Sequence, residues 1–208
     1  MVLRKILGIA LLSGAALAAG ANAHAADTLL GGKRLIIGNS APDSEKRNRI
    51  VVTARDATLG ISAPGSAGDP TCDGAGGGGA RITFTSVTSG ESHTTLLPCQ
   101  NWTGRKTGSW RYRDTELDDS TCQVVQIRST RTLRAVCLGR GPTLLDFDLV
   151  EGQAQTPIDV TLELGTGPDR YCLRFGGTVK ADGADGRKLF ASDSPAPVAC
   201  APPAPPGE

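Results

Sequence analysis

Aromatic side chains are scarce in this chain: two Trp, two Tyr and four Phe among 208 residues. A membrane barrel built from strands carries aromatic girdles at both interfaces, so the composition argues against one. Histidine is scarcer, with only His24 and His93. No two of the six cysteines stand as a C-x-x-C pair, which leaves a zinc site without its usual spacing. There is no Gly-x-Ser-x-Gly elbow for a serine hydrolase. The run Gly76 to Gly79 is not followed by Lys and Ser or Thr, so it reads as a flexible loop rather than a phosphate cradle. Beyond Ala19 no apolar run reaches the roughly 20 residues of a membrane-spanning helix. Neither charge sign dominates, since the formal net charge is +1. A balanced total makes no general case for nucleic acid or an acidic membrane.

The first residues are a targeting signal. Arg4 and Lys5 form a positive start, Ile6 to Ala19 is rich in Leu and Ala, and Ala23-His24-Ala25 fits a small-x-small cleavage rule. The cut is placed after Ala25, with Ala21-Asn22-Ala23 as a second position. The chain therefore divides into a signal peptide over 1–25, a single domain over 26–193, and a Pro-rich tail over 194–208 tethered through Cys200. Loss of Arg4 and Lys5 takes the mature chain to a net charge of −1. The expected location is periplasmic or secreted, with no membrane span after cleavage.

What fills the domain is short alternating segments. Lys33 to Ile37, Arg49 to Arg55, Arg81 to Thr85, Thr94 to Leu97, Ser109 to Asp114, Thr143 to Val150, Ile158 to Leu164, Tyr171 to Val179 and Lys188 to Ala191 all read as strands. Tyr171, Leu173, Phe175 and Val179 share one face of the segment we take as the centre. No helix pattern appears after the signal. Nine to eleven short strands separated by Gly and Pro turns predict an all-β fold. It is an antiparallel β-sandwich or, alternatively, a β-barrel-like closure.

All six cysteines fall in the exported part: Cys72, Cys99, Cys122, Cys137, Cys172 and Cys200. An even count outside the cytoplasm reads as a disulfide framework. Fifteen pairings exist on paper. Neighbouring segments pair most often, which favours Cys72–Cys99, Cys122–Cys137 and Cys172–Cys200. The middle pair has a register argument as well. With Ser129-Thr130 as the turn of a hairpin over Thr121 to Leu138, Val124 faces Ala135 and Cys122 faces Cys137, within disulfide reach.

Four stretches together resemble a group of exported bacterial all-β proteins. They are Asp69-Pro70-Thr71 before the Gly-rich run, Leu97-Pro98 followed by Trp102, Tyr171-Cys172-x-x-Phe175-Gly176-Gly177-Thr178-Val179, and the closing Pro-rich segment around Cys200. The resemblance covers most of the mature chain. It implies the fold and the location and transfers no site.

Candidate sites are few. His93 lies in a polar stretch and reads as an exposed loop histidine rather than a base. Asp114, Glu116, Asp118 and Asp119 form an acidic loop, and Asp182 and Asp185 flank a glycine turn. Neither has the spacing of a calcium loop, so both read as solvated turns. Trp102, Trp110 and Tyr112 are the candidates for a ligand surface, although Trp110 and Tyr112 alternate with Arg111 and Arg113 as core residues do. Arg128, Arg131, Arg134 and Arg140 read as a solvated strand face. Asn101-Trp102-Thr103 is a glycosylation sequon, expected to be unused in a bacterial chain. No pattern points to a cofactor, a metal or a catalytic set. The expectation is a non-catalytic binding or structural protein outside the cytoplasm, with a glycan or another extracytoplasmic protein as partner. An exported carbohydrate-active enzyme using an Asp/Glu pair is the alternative.

Overall fold

The computed structural model describes residues 27–39, 48–105, 108–128, 131–140, 144–167 and 169–201. The expected signal peptide, most of the Asn39–Asn48 loop, the Ser129-Thr130 turn and the tail past Ala201 lie outside the described residues. Among the described residues no helix is long and apolar enough to cross a membrane.

The described residues form thirteen strands rather than the expected nine to eleven. The first seven are β1 (Thr28–Leu30), β2 (Gly32–Gly38), β3 (Arg49–Arg55), β4 (Ala80–Ser86), β5 (Ser92–Leu97), β6 (Trp102–Arg105) and β7 (Ser109–Arg113). The rest are β8 (Cys122–Arg128), β9 (Thr132–Leu138), β10 (Ile158–Leu164), β11 (Arg170–Phe175), β12 (Thr178–Asp182) and β13 (Lys188–Ser194). They form a five-stranded sheet, in the order β1-β11-β10-β4-β5, and an eight-stranded sheet, in the order β12-β13-β2-β3-β9-β8-β7-β6. All pairs are antiparallel except β1 with β11. Each sheet keeps two free edges, so the barrel alternative is overturned and the fold is a sandwich.

Period-two alternation builds the core. Ile82 and Phe84, Val160 and Leu162, and Leu173 and Phe175 face inward from one sheet. Leu35 and Ile37, Ile50 and Val52, Leu133 and Ala135, and Val125 and Ile127 meet them from the other. The two layers come close: a Cβ on Gly32 of β2 would lie 2.4 Å from the Phe175 ring of β11. The side facing solvent from the eight-stranded sheet is set by the same alternation.

Three differences from the expected strands have physical causes. Tyr171 to Val179 is not one strand. It breaks at Gly176-Gly177, whose N–H groups both donate to the Ser194 hydroxyl, at 3.3 and 3.1 Å. There the chain crosses from the five-stranded sheet to the eight-stranded one, and Val179 is exposed rather than inward. Thr143 to Val150 falls outside any ladder over its described part, 144–150. Leu145, Phe147 and Leu149 do alternate into the core. The Asn48 side chain donates to the Leu145 carbonyl, 3.3 Å, and Glu91 accepts the Asp148 N–H. The segment is an extended plug, so its pattern mimics a strand. The added strands β1 and β6 hold three and four residues, too short for alternation to be seen.

All three disulfides join sequential cysteines: Cys72–Cys99, Cys122–Cys137 and Cys172–Cys200. The middle one has a register different from the expected one. Arg128 pairs with Thr132, not Arg131, and Val124 pairs with Val136, not Ala135. The turn is one residue longer, with Arg131 at φ 66 and its N–H bonded to the Arg128 carbonyl. A bulge between Cys122 and Val124 absorbs the extra residue and restores Cys122 opposite Cys137.

Candidate functional site: a basic sheet face

The expected ligand aromatics are core residues. Trp102, Trp110 and Tyr112 are 4%, 3% and 0% exposed. Trp102 opens β6. Its indole N–H donates to the Leu97 carbonyl, 3.1 Å, and its ring meets Tyr112 at a centroid distance of 5.4 Å. With so few aromatics in the chain, a sandwich of this size uses them inside. They do not form a ligand surface.

His93 is also buried, on β5, with Nε2 3.1 Å from the Thr121 hydroxyl. Burial lowers its pKa below the ordinary value, against a smaller opposing pull from Asp146. Glu91 next to it is raised, first by burial and then by the charges of Asp148 and Asp146. This cluster fastens the 144–150 plug to β5. The exposed-loop reading of His93 is overturned, because its strand neighbours bring the ring under the plug.

The acidic loop is not simply solvated. Asp114 is buried, and its carboxylate accepts four backbone N–H groups, from Leu117, Asp118, Asp119 and Ser120, at 2.8 to 3.3 Å. Those oxygens are occupied by the turn they hold. Glu116, Asp118 and Asp119 are exposed.

The Gly-rich stretch is likewise knit rather than loose. Asp69 accepts from Gly65 N–H, Thr71 N–H and the Thr71 hydroxyl. Gly78 adopts φ 68 with its Cβ position 1.9 Å from the Thr71 carbonyl, so only glycine fits. Among the described residues the one grouping of metal-ligating atoms is Asp27 with Cys172 and Cys200. Those two sulfurs are bonded to each other and are not thiolate ligands.

Three shallow grooves lie among the described residues. One, of about 400 Å³, is lined by Gly78, Arg81, Leu96, Glu163 and Arg170. Glu163 sits between Arg81 at 3.9 Å and Arg170 at 3.6 Å. A second, of about 390 Å³, lies between Gly176-Gly177 and the Pro195-to-Val198 strap. The third, of about 430 Å³, is bounded by Lys33, Arg34, Lys180, Phe190 and, beside Lys33, Asp193. None is lined by two carboxylates, the pair that the glycosidase reading requires.

The third groove opens onto the most distinctive surface. The strands of the eight-stranded sheet hold eleven Lys or Arg and two Asp. The five-stranded sheet holds three and two. The Asp residues of the larger sheet, Asp182 and Asp193, sit on β12 and β13 at one edge, and Asp193 is bonded to Lys33. Across the middle, Arg34 pairs with Thr53, Thr53 with Arg134, Arg134 with Gln126, and Gln126 with Arg111. Ser192 extends this row on one side and Thr103 on the other. Every member lies between two inward, buried neighbours or next to one, so the row faces solvent. Among the described residues Arg34, Arg111 and Arg134 make no ion pair. The Arg111 Nε is buried without a hydrogen-bond partner.

Sequence reasoning missed this surface, because it joins residues as distant as Arg34 and Arg134. The signal available was partial: of Arg128, Arg131, Arg134 and Arg140, read together as a strand face, Arg128 and Arg134 lie on β8 and β9, while Arg131 is in the turn and Arg140 lies beyond β9. No protein-family model, no curated protein and no solved structure matches the chain.

Proposed function

We propose that the protein is an exported, non-catalytic binding protein whose eight-stranded sheet takes an anionic partner outside the cytoplasm. The observation that carries the reading is the basic row of Arg34, Arg134 and Arg111, flanked by hydroxyl and amide groups and unpaired by any described carboxylate. Guanidinium groups without a carboxylate partner offer forked donors suited to carboxylate, sulfate or phosphate. Export is supported by the N-terminal signal pattern and by three disulfides, which persist in oxidising compartments. Among the described residues no groove brings two carboxylates together to favour the carbohydrate-active enzyme.

The test uses the purified mature chain and dextran sulfate as a general polyanion. Binding should weaken steadily as salt rises, since exposed charges are screened over a Debye length of about 8 Å at 0.15 M. The charge reversals Arg34→Glu and Arg134→Glu together should abolish it with little change in melting temperature. Binding that survives both reversals in a folded protein would sink the proposal.

A further inference from the structure

The outer row has a repeat as well as a charge. Arg34, Arg134 and Arg111 stand on β2, β9 and β7, and Thr53 and Gln126 on β3 and β8 between them. Guanidinium-bearing positions therefore recur on every second strand, about 10 Å apart for strands spaced 4.7–4.9 Å. Between them stand the Thr53 hydroxyl, which donates and accepts, and the Gln126 amide, whose oxygen accepts from the Arg128 guanidinium at 3.0 Å and whose nitrogen is left to donate. A ligand lying across the strands thus meets charge, neutral hydrogen-bonding group, charge, neutral group, charge.

Three observations narrow the ligand chemistry. The neighbouring outward row holds Ile36, Val51, Val136 and Val124; Val51 and Val136 are buried and Ile36 and Val124 are only partly exposed, so no fully exposed apolar wedge projects from it to enter a lipid layer. Phe190, the ring exposed in part on this face, has Arg34 at 5.7 Å and Lys180 at 5.2 Å over it. Its face is occupied by cations and is not a free platform for stacking a base. The half-buried Thr53 hydroxyl and the Gln126 amide nitrogen, whose neighbouring oxygen is held by Arg128, suit sugar hydroxyls, which a bare phosphate chain does not provide.

Resting on the proposed anionic-partner reading, we infer that the partner is a linear acidic polysaccharide with one carboxylate per disaccharide, lying across the strands of the eight-stranded sheet. Arg34, Arg134 and Arg111 take successive carboxylates, and Thr53 and Gln126 take the neutral sugars between.

The inference is tested by comparing Kd values at about 0.15 M salt for four probes. They are hyaluronan, with a carboxylate on alternate sugars; polygalacturonate, with one on every sugar; single-stranded DNA; and vesicles of phosphatidylglycerol. Charge density alone would rank hyaluronan below polygalacturonate. The expected result is the reverse, with hyaluronan the tightest of the four. Arg34→Gln and Arg134→Gln should each weaken hyaluronan binding about tenfold, the scale of one lost charge-assisted contact. Arg81→Gln, on the other sheet, should leave it unchanged. If dextran sulfate binds but the four probes rank by charge density, or DNA or vesicles bind best, the polysaccharide inference fails and the anionic-partner reading stands. If neither dextran sulfate nor any probe binds, both fail.

Discussion

His93 shows how far a residue's setting departs from its local sequence. In the chain it stands among Ser, Gly and Glu, and polar neighbours predict exposure. In the fold it is 8% exposed, beneath the plug that carries Asp146 and Asp148. Burial lowers its pKa below the usual 6.5, so the unfolded chain takes up a proton before the native one as pH falls. Stability present above that region is therefore lost on acidification. Glu91 works the other way: its pKa is raised above 4.5, so the native state binds a proton first and its contribution favours folding as pH falls. The two are separated by substitution. Between about pH 7.5 and 5.5 the melting temperature of the parent should fall faster than that of His93→Gln. Parallel curves would show that His93 titrates as an exposed histidine does.

At the scale of elements, β6 and β7 test the core against the surface reading of the aromatics. Alternation in Ser109 to Arg113 was readable, because each strand residue reveals its own face. β6 was not, since Gly104 interrupts its four residues. That glycine has a packing cause: its Cβ position lies 2.2 Å from the Trp110 ring. Trp110→Ala should cost about 3–5 kcal/mol, as other large truncations in a core do. Gly104→Val should also lower the melting temperature, by forcing Trp110 from its place. Parental melting of Trp110→Ala would put the ring on the surface. The 144–150 plug marks the limit of pattern reading, because alternation reports which side chains are buried and not whether the backbone has a ladder partner.

For the whole molecule, the staples and the charge distribution are the features with consequences. The disulfides close spans of 27, 15 and 28 residues. On the chain-entropy account each contributes roughly 3–3.6 kcal/mol. Together that rivals the entire net stability of an ordinary domain, about 5–15 kcal/mol. Full reduction should unfold the protein or lower its melting temperature steeply, read by circular dichroism with and without reductant. An unchanged melt would mean that the two sheets hold without them. The charge distribution cannot be anticipated from the +1 total. Many of the acids sit in turns, as Asp56, Asp69, Asp114 and Asp185 do, where their carboxylates accept backbone N–H groups. Many of the cations sit on strands of one sheet.

The sequence by itself determined the all-β class, the inward faces of most strands and the three disulfide pairs. Each of these rests on short-range geometry: side chains alternate every residue along a strand, and cysteines near in sequence meet across a hairpin or a loop. The Cys122–Cys137 pair was legible even though two one-residue differences, a longer turn and a bulge, had to cancel. Only the tertiary structure decided the sheet orders, the burial of His93 and Asp114, and the single basic row. Those depend on which distant strands lie side by side, and that is set by the packing of two sheets on one core. Charges spread along a chain average out in the sequence, but hydrogen-bonded register gathers Arg34, Arg134 and Arg111 onto one surface.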